Sequence, residues 1–490
     1  MKSKSVVLNI IINILGALVP LLVAILYIRP MIADLGAEKY GLYSLLTAVF
    51  GYFSFLEFGL GRSTVRYLLD KNSAWPHGEV AFHGICLTAI FGVVGGLLVL
   101  LLSPVLMYFA GSESLGVQKD FFISALLMGL LIPLMLLESI FRCLMEADHE
   151  FILLGVLKVA CSLILAVVMI TLAHSKVGRM TDYMIAMLGV SLLRTAAHGV
   201  AWRLRSGIRL IAVWRRDLLK NLVAFGGWST VSAVVSPVMI NFDRFWISAQ
   251  FGNANVAYYT TPFDAITKIW LINAALVGVV FPEFLRAGIN NRDDAEKASR
   301  VVVNTCWMST SIVLPALLVA IFFAPELMTW WVGAGFAAKS HALLAILAVG
   351  VSMNSVVQTI FTAFYAVGRP DIPARFHLLE VPVYGVLLLS LSSWFGLPGV
   401  AWAWNLRVLT DVLLLAFALR RLIFPAVEMI KTLLLAFVAM AALYGLATVW
   451  LPDIWRWSVG GVLALGASVM ALRTAMAAYG RAQSVVDGAA

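Results

Sequence analysis

Polar residues in this chain are gathered into short turns, and between them lie apolar runs long enough to cross a bilayer as helices. A spanning helix needs about 20 such residues. The pattern predicts spans over 6–28, 40–61, 80–109, 121–143, 151–173, 183–202, 221–249, 257–283, 301–324, 341–366, 376–395, 398–419, 430–450 and 455–475. The stretch from Asn13 to Arg66 shows how the pattern works. Its first run carries Gly16 and Pro20 one helical turn apart, and a proline inside a helix removes a backbone hydrogen bond in a way membrane helices tolerate. A polar turn, Asp34-Leu-Gly-Ala-Glu-Lys-Tyr-Gly41, leads to a second run that ends at Glu57-Phe-Gly-Leu-Gly61. Arg62 and Arg66 then share one helix face. This is a hairpin that crosses twice and returns to its starting side.

Composition agrees with that reading. Hydrophobic residues make up 62% of the chain and charged residues 12%, where a soluble domain carries about 25% charged residues. The predicted class is an all-α polytopic membrane protein with about 14 transmembrane helices. No polar stretch is long enough for a separate soluble domain. Lys2 and Lys4 precede an apolar run that passes into Ile28-Arg29-Pro30 without a small-residue cleavage site, so the first span is read as uncleaved. Placing the N-terminus in the cytoplasm and alternating sides puts most of the 35 Lys and Arg residues inside, as the positive-inside rule requires. Both termini are then cytoplasmic. Trp330, Trp331, Trp394, Trp450, Trp455 and Trp457 fall at outer helix ends, as an interfacial aromatic belt would. The net charge of +9 is accounted for by the cytoplasmic rims and implies no nucleic acid. The basic stretch 203–220 faces the inner leaflet as a topology signal and, in a second reading, as a contact for anionic lipids.

The chain also repeats. Leu35-Gly36-Ala37 with Tyr43 recurs as Phe251-Gly252-Asn253 with Tyr259, each downstream of a helix with a mid-span proline, Pro20 or Pro237. The expected organisation is an N-terminal six-helix lobe (1–203), a basic cytoplasmic connection (204–220), a second six-helix lobe (221–421), and two additional helices with a tail (422–490). An even-span repeat relates the lobes by a pseudo-twofold along the membrane normal.

Enzymatic signatures are missing. There is no Walker A motif, no His-Glu-x-x-His and no Gly-x-Ser-x-Gly, and the four cysteines lack metal-ligand spacing. No cofactor is expected. What remains is charge inside the apolar runs: Glu57, Glu138, Arg194, Asp243, Arg244, Asp264, Lys268, Glu380, Arg407 and Asp411. Such residues are expensive in a membrane and face the bundle interior or a wet cavity. Glu138 with Arg142, Asp264 with Lys268, and Arg407 with Asp411 have the spacing of helical ion pairs, which read equally well as ties between helices. Arg194 has no acid at helical spacing. Arg194, Arg244, Lys268 and Arg407 are the candidate binders of a substrate phosphate, since guanidinium grips phosphate oxygens at two points. Asp243 and Asp264 are candidate ion-coupling residues. Asn9, Asn13, Asn241, Asn273, Asn354, Gln358 and Asn405 read as interhelical hydrogen bonds or as contacts to sugar hydroxyls. Trp228, Trp246, Trp270, Trp402 and Trp404 read as packed or lipid-facing rings, with sugar stacking the alternative.

The Leu35–Leu46 turn, LGAEKYGLYSLL, and the exit LEFGLGRSTVRYL resemble the opening of bacterial polysaccharide-export flippases, within the superfamily of multidrug, oligosaccharidyl-lipid and polysaccharide exporters. The resemblance implies two six-helix lobes with two further helices and a cationic lumen. It implies that an undecaprenyl-diphosphate-linked oligosaccharide is flipped from the cytoplasmic to the periplasmic leaflet of the inner membrane by alternating access. A polysaccharide polymerase and a chain-length regulator are the implied partners. A multidrug or cation exporter shares that fold but calls for a more acidic cavity. A lipid II flippase is a nearer relative in function. A membrane polysaccharide polymerase or ligase is the enzymatic rival, disfavoured because the outer loops are short.

Overall fold

The computed structural model describes residues 3–57, 60–69, 75–110, 114–148, 150–176, 178–224, 239, 241–273, 276, 292–366, 369, 371–422 and 437–487. Among these residues no strand occurs, and nine helices are long and apolar enough to cross a membrane. The protein is a multi-pass membrane protein. The expected spans 221–249, 257–283 and 430–450 fall partly outside the described residues, and Gly226, Gly227, Trp228 and Pro237 lie wholly outside them. So do the side chains of Asn9 and Asn13.

The chain divides into two compact units, Met1–Ala257 and Tyr258–Ala490. The first begins with α1 (Ser3–Tyr52), which is two helices meeting at Gly36. Gly36 has φ 76° and ψ 163°, a backbone state open to glycine because it has no Cβ. A 3₁₀ turn, Phe53–Glu57, leads into α2 (Leu60–Leu69). Then follow α3 (His77–Ala110), α4 (Leu115–Ala147), α5 (Phe151–His174), α6 (Met180–Arg205) and α7 (Arg216–Ala224). In this unit α3 packs on α4, α4 on α6, and α5 on α1 and α6. Small residues set the α3–α4 approach: a Cβ on Gly96 would run into the Gly129 carbonyl, and one on Gly92 into the Pro133 backbone. Without a hydrophobic drive between helices in lipid, such close backbone packing is what holds spans together. The opposite face of α3 exposes Val93, Val94, Leu97, Leu98, Leu101 and Leu102, a stripe that lipid rather than water solvates.

Two ends of the first unit carry different polar latches. At one end the Asp34 carboxylate accepts from Gly178 N (3.0 Å) and the Tyr183 hydroxyl (2.9 Å), and Lys39 donates to the Gly178 carbonyl (2.5 Å). Beside it, Asp120 accepts from Met180 N and Thr181 N, both at 2.8 Å, so an anion sits on the positive end of α6. At the other end the connection after α6 is strapped to α3. Arg215 pairs with Glu79 (2.5 Å), and its backbone N–H donates to His83 Nε2 (2.9 Å), while His83 Nδ1 donates to the Glu79 carbonyl (2.8 Å). The His83 ring also stacks on Trp214. The Glu79 carboxylate, through this hydrogen bond, holds the Arg215 guanidinium above its usual range.

The second unit contains most of α8 (Asn253–Thr267), then α9 (Arg292–Phe322), α10 (Ala324–Val332), α11 (Ala334–Ala366), α12 (Asp371–Phe395), α13 (Leu397–Leu422) and α14 (Asp453–Asp487). Helix α11 packs on α9, α10 and α13, α12 on α13, and α14 on α9. Gly396, with φ 63°, closes the α12–α13 hairpin as the Gly396-Leu-Pro-Gly399 turn predicts. Helix α10 lies in the connection between the spans expected at 301–324 and 341–366. Pro325 opens it, since proline fits the first helical turn, and Gly333 with φ 88° ends it. Of the tryptophans expected at outer ends, Trp330, Trp394 and Trp455 are exposed, and Trp457 donates to Glu326, which also pairs with Arg456.

Candidate functional site

Arg194, the cation for which the α6 sequence offers no partner, finds one on another helix. Helices α4 and α6 pack together and bring Arg194 to Glu138, at 2.7 Å. Glu138 also lies 3.9 Å from Arg142, one turn along α4. From α5, Lys158 interacts electrostatically with Arg142, Glu146 and Glu138. Among the residues joined in this way, three cations (Arg194, Arg142 and Lys158) stand with two carboxylates (Glu138 and Glu146), one positive charge in excess. Glu138 is the buried centre, its side chain 9% exposed, while Arg194 and Arg142 are 33% and 39% exposed. His198 donates from Nδ1 to the Arg194 carbonyl, so its ring is held one turn from the cluster. The sequence offered a signal for this site, since Glu138, Arg142 and Lys158 all lie toward the same ends of neighbouring spans. Helical spacing alone joins Arg142 to Glu138 and leaves Lys158, on the next span, out of the pair.

Asp243 and Arg244 are both buried, on the helical stretch 241–251 of the first unit. Both act on Tyr52 of α1, whose ring stacks on Phe245 at 5.9 Å. Asp264 lies half-buried on α8, whereas Lys268 is exposed just beyond its end. There the helix tightens: Lys268 N bonds to the Ala265 carbonyl and Ile269 N to that of Ile266, both three residues back. The regular α register thus ends at Thr267.

Arg407 is buried and donates from Nε to Glu380 Oε2 at 3.3 Å. Its ion-pair partner is thus on α12, while Asp411, the acid predicted from α13 spacing, lies beside Glu380. The polar uncharged residues bond across helices. Asn273 donates to Gln358 Oε1 (2.8 Å) and to the Ser355 carbonyl (3.0 Å), and it accepts from Ser309. Gln358 donates to Asn354 (3.2 Å), and Asn405 to the Ile346 carbonyl (2.7 Å). Asn241 is half-buried near Gly51. Trp404 is fully buried edge-on to Phe263, and Trp402 packs against Tyr444. Trp246 and Trp270 are half-buried. The four cysteines form no disulfide, and no group of three or more metal-ligating side chains occurs among the described residues.

The fold is shared with solved transporters. The lipid II flippase MurJ in an inward closed conformation superposes with a TM-score of 0.67 at 15% identity, over 96% of this chain and 99% of its own. An inward-facing multidrug resistance MATE transporter of the MOP superfamily gives 0.66 at 15% identity, over 88% and 99%. In sequence, a candidate O-antigen transporter of Shigella flexneri is 28% identical over 425 residues, covering 85% of this chain and 98% of that protein. The family profile described as "Polysaccharide biosynthesis protein" matches residues 35–340, more than half of the chain. The chain belongs to this polysaccharide biosynthesis protein family.

Proposed function

We propose that the protein is a flippase, not an enzyme, and that it moves an undecaprenyl-diphosphate-linked oligosaccharide repeat unit from the cytoplasmic to the periplasmic leaflet. The observation that carries this reading is the cation excess around Glu138, where Arg194, Arg142 and Lys158 outnumber the carboxylates they share. Positive charge in excess of its counterions inside a membrane protein is costly, and an anion completes it. The diphosphate of a lipid-linked sugar is such an anion, and guanidinium groups suit its oxygens. Sugar and phosphate cannot cross hydrocarbon unaided, because each polar group stripped of water costs on the order of 2–7 kcal/mol. The isoprenoid tail never leaves the bilayer, so the protein need carry only the headgroup. Alternating access supplies the motion, as in transporters built from repeated halves.

In this reading Arg244 and Lys268 are further phosphate contacts and Arg407 holds charge inside the second unit. Asp243 and Asp264 take part in ion coupling. The protein lies in a bacterial inner membrane with both termini cytoplasmic, and a polysaccharide polymerase and a chain-length regulator act on the product. The two structural likenesses, 0.67 to a lipid flippase and 0.66 to a drug exporter, do not separate the two classes. The relationship to the candidate O-antigen transporter, over 98% of its length, and the cation excess both favour a lipid-linked sugar. Native mass spectrometry of the purified protein tests this. Undecaprenyl-diphosphate oligosaccharide is expected to be retained by wild type and lost from R142A/R194A. Retention of a cationic dye in its place would overturn the assignment.

A further inference from the structure

Helices α12 and α13 hold four ionisable side chains almost entirely out of water. Glu380 is 1% exposed, Asp411 2%, and Arg407 and His377 5% each. The hairpin is antiparallel about Gly396, so Glu380 and Asp411 stand level, about fifteen residues from the turn on either side. Glu380 lies about 13 Å along the helix from Asp371 and about 22 Å from Phe395, far from either end. Arg407 binds one of its oxygens. Glu380 is within hydrogen-bonding reach of Asp411, and Asp411 and Arg407 both act on His377, whose ring stacks on Phe361 at 5.6 Å. Even so, Glu380 Oε1, Asp411 Oδ1 and His377 Nδ1 are buried without a hydrogen-bond partner.

Two orphaned carboxylate oxygens in one cluster mark a missing donor. A single guanidinium cannot neutralise two carboxylates in contact, and carboxyl bonds to carboxyl only when one of them carries a proton. One proton removes both difficulties: it supplies the donor and leaves the cluster with no net charge while His377 is neutral. We propose that Glu380 and Asp411 form a proton-binding site, charged by Arg407, whose loading and release drive transport. The coupling to transport rests on the flippase reading above.

On α12, Arg375 pairs with Asp371 near the helix start, and Tyr384 lies one turn beyond Glu380. On α11, which packs against α13, the described titratable side chains are Lys339 and His341, at the far end of that helix. Release of the proton leaves a second carboxylate uncompensated in a dry hairpin. The hairpin must then open to water or shift Arg407, and this links the proton to the packing of α12 on α13.

Infrared difference spectroscopy of the full chain in lipid, between acidic and alkaline pH, reads the protonated-carboxyl C=O band directly. Wild type is expected to show a band that disappears in E380Q/D411N and moves in its pH midpoint in E380Q alone. An unchanged band in both variants overturns the site. In proteoliposomes carrying the lipid-linked oligosaccharide, an imposed pH gradient is expected to accelerate wild type several-fold and to leave E380Q/D411N unaffected. An equal response from both overturns the coupling. If wild type shows the band but moves no lipid-linked sugar, the flippase reading fails while the proton site stands.

Discussion

Changing Glu138 to Gln should weaken the fold and strengthen anion binding, two effects of opposite sign from one atom exchange. The carboxylate lies 2.7 Å from Arg194 and 3.9 Å from Arg142. Gln keeps the shape and removes the charge, so both guanidiniums lose a counterion. Breaking a fully buried pair costs about 3–5 kcal/mol, but exposed pairs contribute about 0–1 kcal/mol. With Arg194 33% and Arg142 39% exposed, a loss of about 1–2 kcal/mol is expected. It should appear as a lower unfolding midpoint in detergent. The same substitution removes a negative charge about 8 Å from a phosphate seated on Arg194, which at an effective dielectric constant between 20 and 80 is about 0.5–2 kcal/mol. Inorganic pyrophosphate should therefore bind about 2- to 30-fold tighter to E138Q than to wild type. Titration calorimetry in lipid nanodiscs at low salt measures this, and the gain should shrink at high salt as the charges are screened. R194A should move affinity the other way. Unchanged or weaker binding by E138Q would refute the view that Glu138 competes with substrate for these cations.

Gly96→Val would push a side chain into the Gly129 carbonyl of α4 and should cost about 1–3 kcal/mol, read as a lower unfolding midpoint. An unchanged midpoint would show that the α3–α4 approach is not tight. Glu79→Gln should free the strap from α3, and limited trypsin digestion should then cut at Arg209, Arg215 or Arg216 several-fold faster than in wild type. Equal cleavage would mean that the other bonds of the strap hold it. Asn273→Ala breaks bonds to Gln358 and Ser355 and should destabilise by about 1–2 kcal/mol while leaving the KM for lipid-linked sugar unchanged. A raised KM would make Asn273 a sugar contact.

The helical architecture was legible because lipid enforces it: every buried backbone group must be satisfied within its own span, so hydropathy alone marks helices such as 151–174 and 371–395. The turns at Gly36 and Gly396 were legible too, since positive φ calls for glycine. Charge pairing was less so. Helical spacing joins Arg407 to Asp411, but the packing of α12 on α13 brings Glu380 between them. Counting outward from Gly396 would have put Glu380 and Asp411 level, so the signal was present and only the hairpin geometry was needed to read it. Arg194 and Glu138 offered no such shortcut. They sit on spans that are not consecutive, and their meeting depends on which helix faces pack, which periodicity leaves open. Helix α10 escaped because nine residues are too few for a span and its apolar residues merge with those of α9.

The most direct measurement is transport of a fluorescent undecaprenyl-diphosphate oligosaccharide across proteoliposomes, with wild type beside R142A/R194A and a cationic dye as competitor. The account predicts that wild type flips the lipid-linked sugar without hindrance from the dye, and that the folded double variant loses most of this activity. Equal flipping by both proteins would remove the cluster around Glu138 from the transport path. Efflux of the dye with no movement of the lipid-linked sugar would contradict the account at its centre.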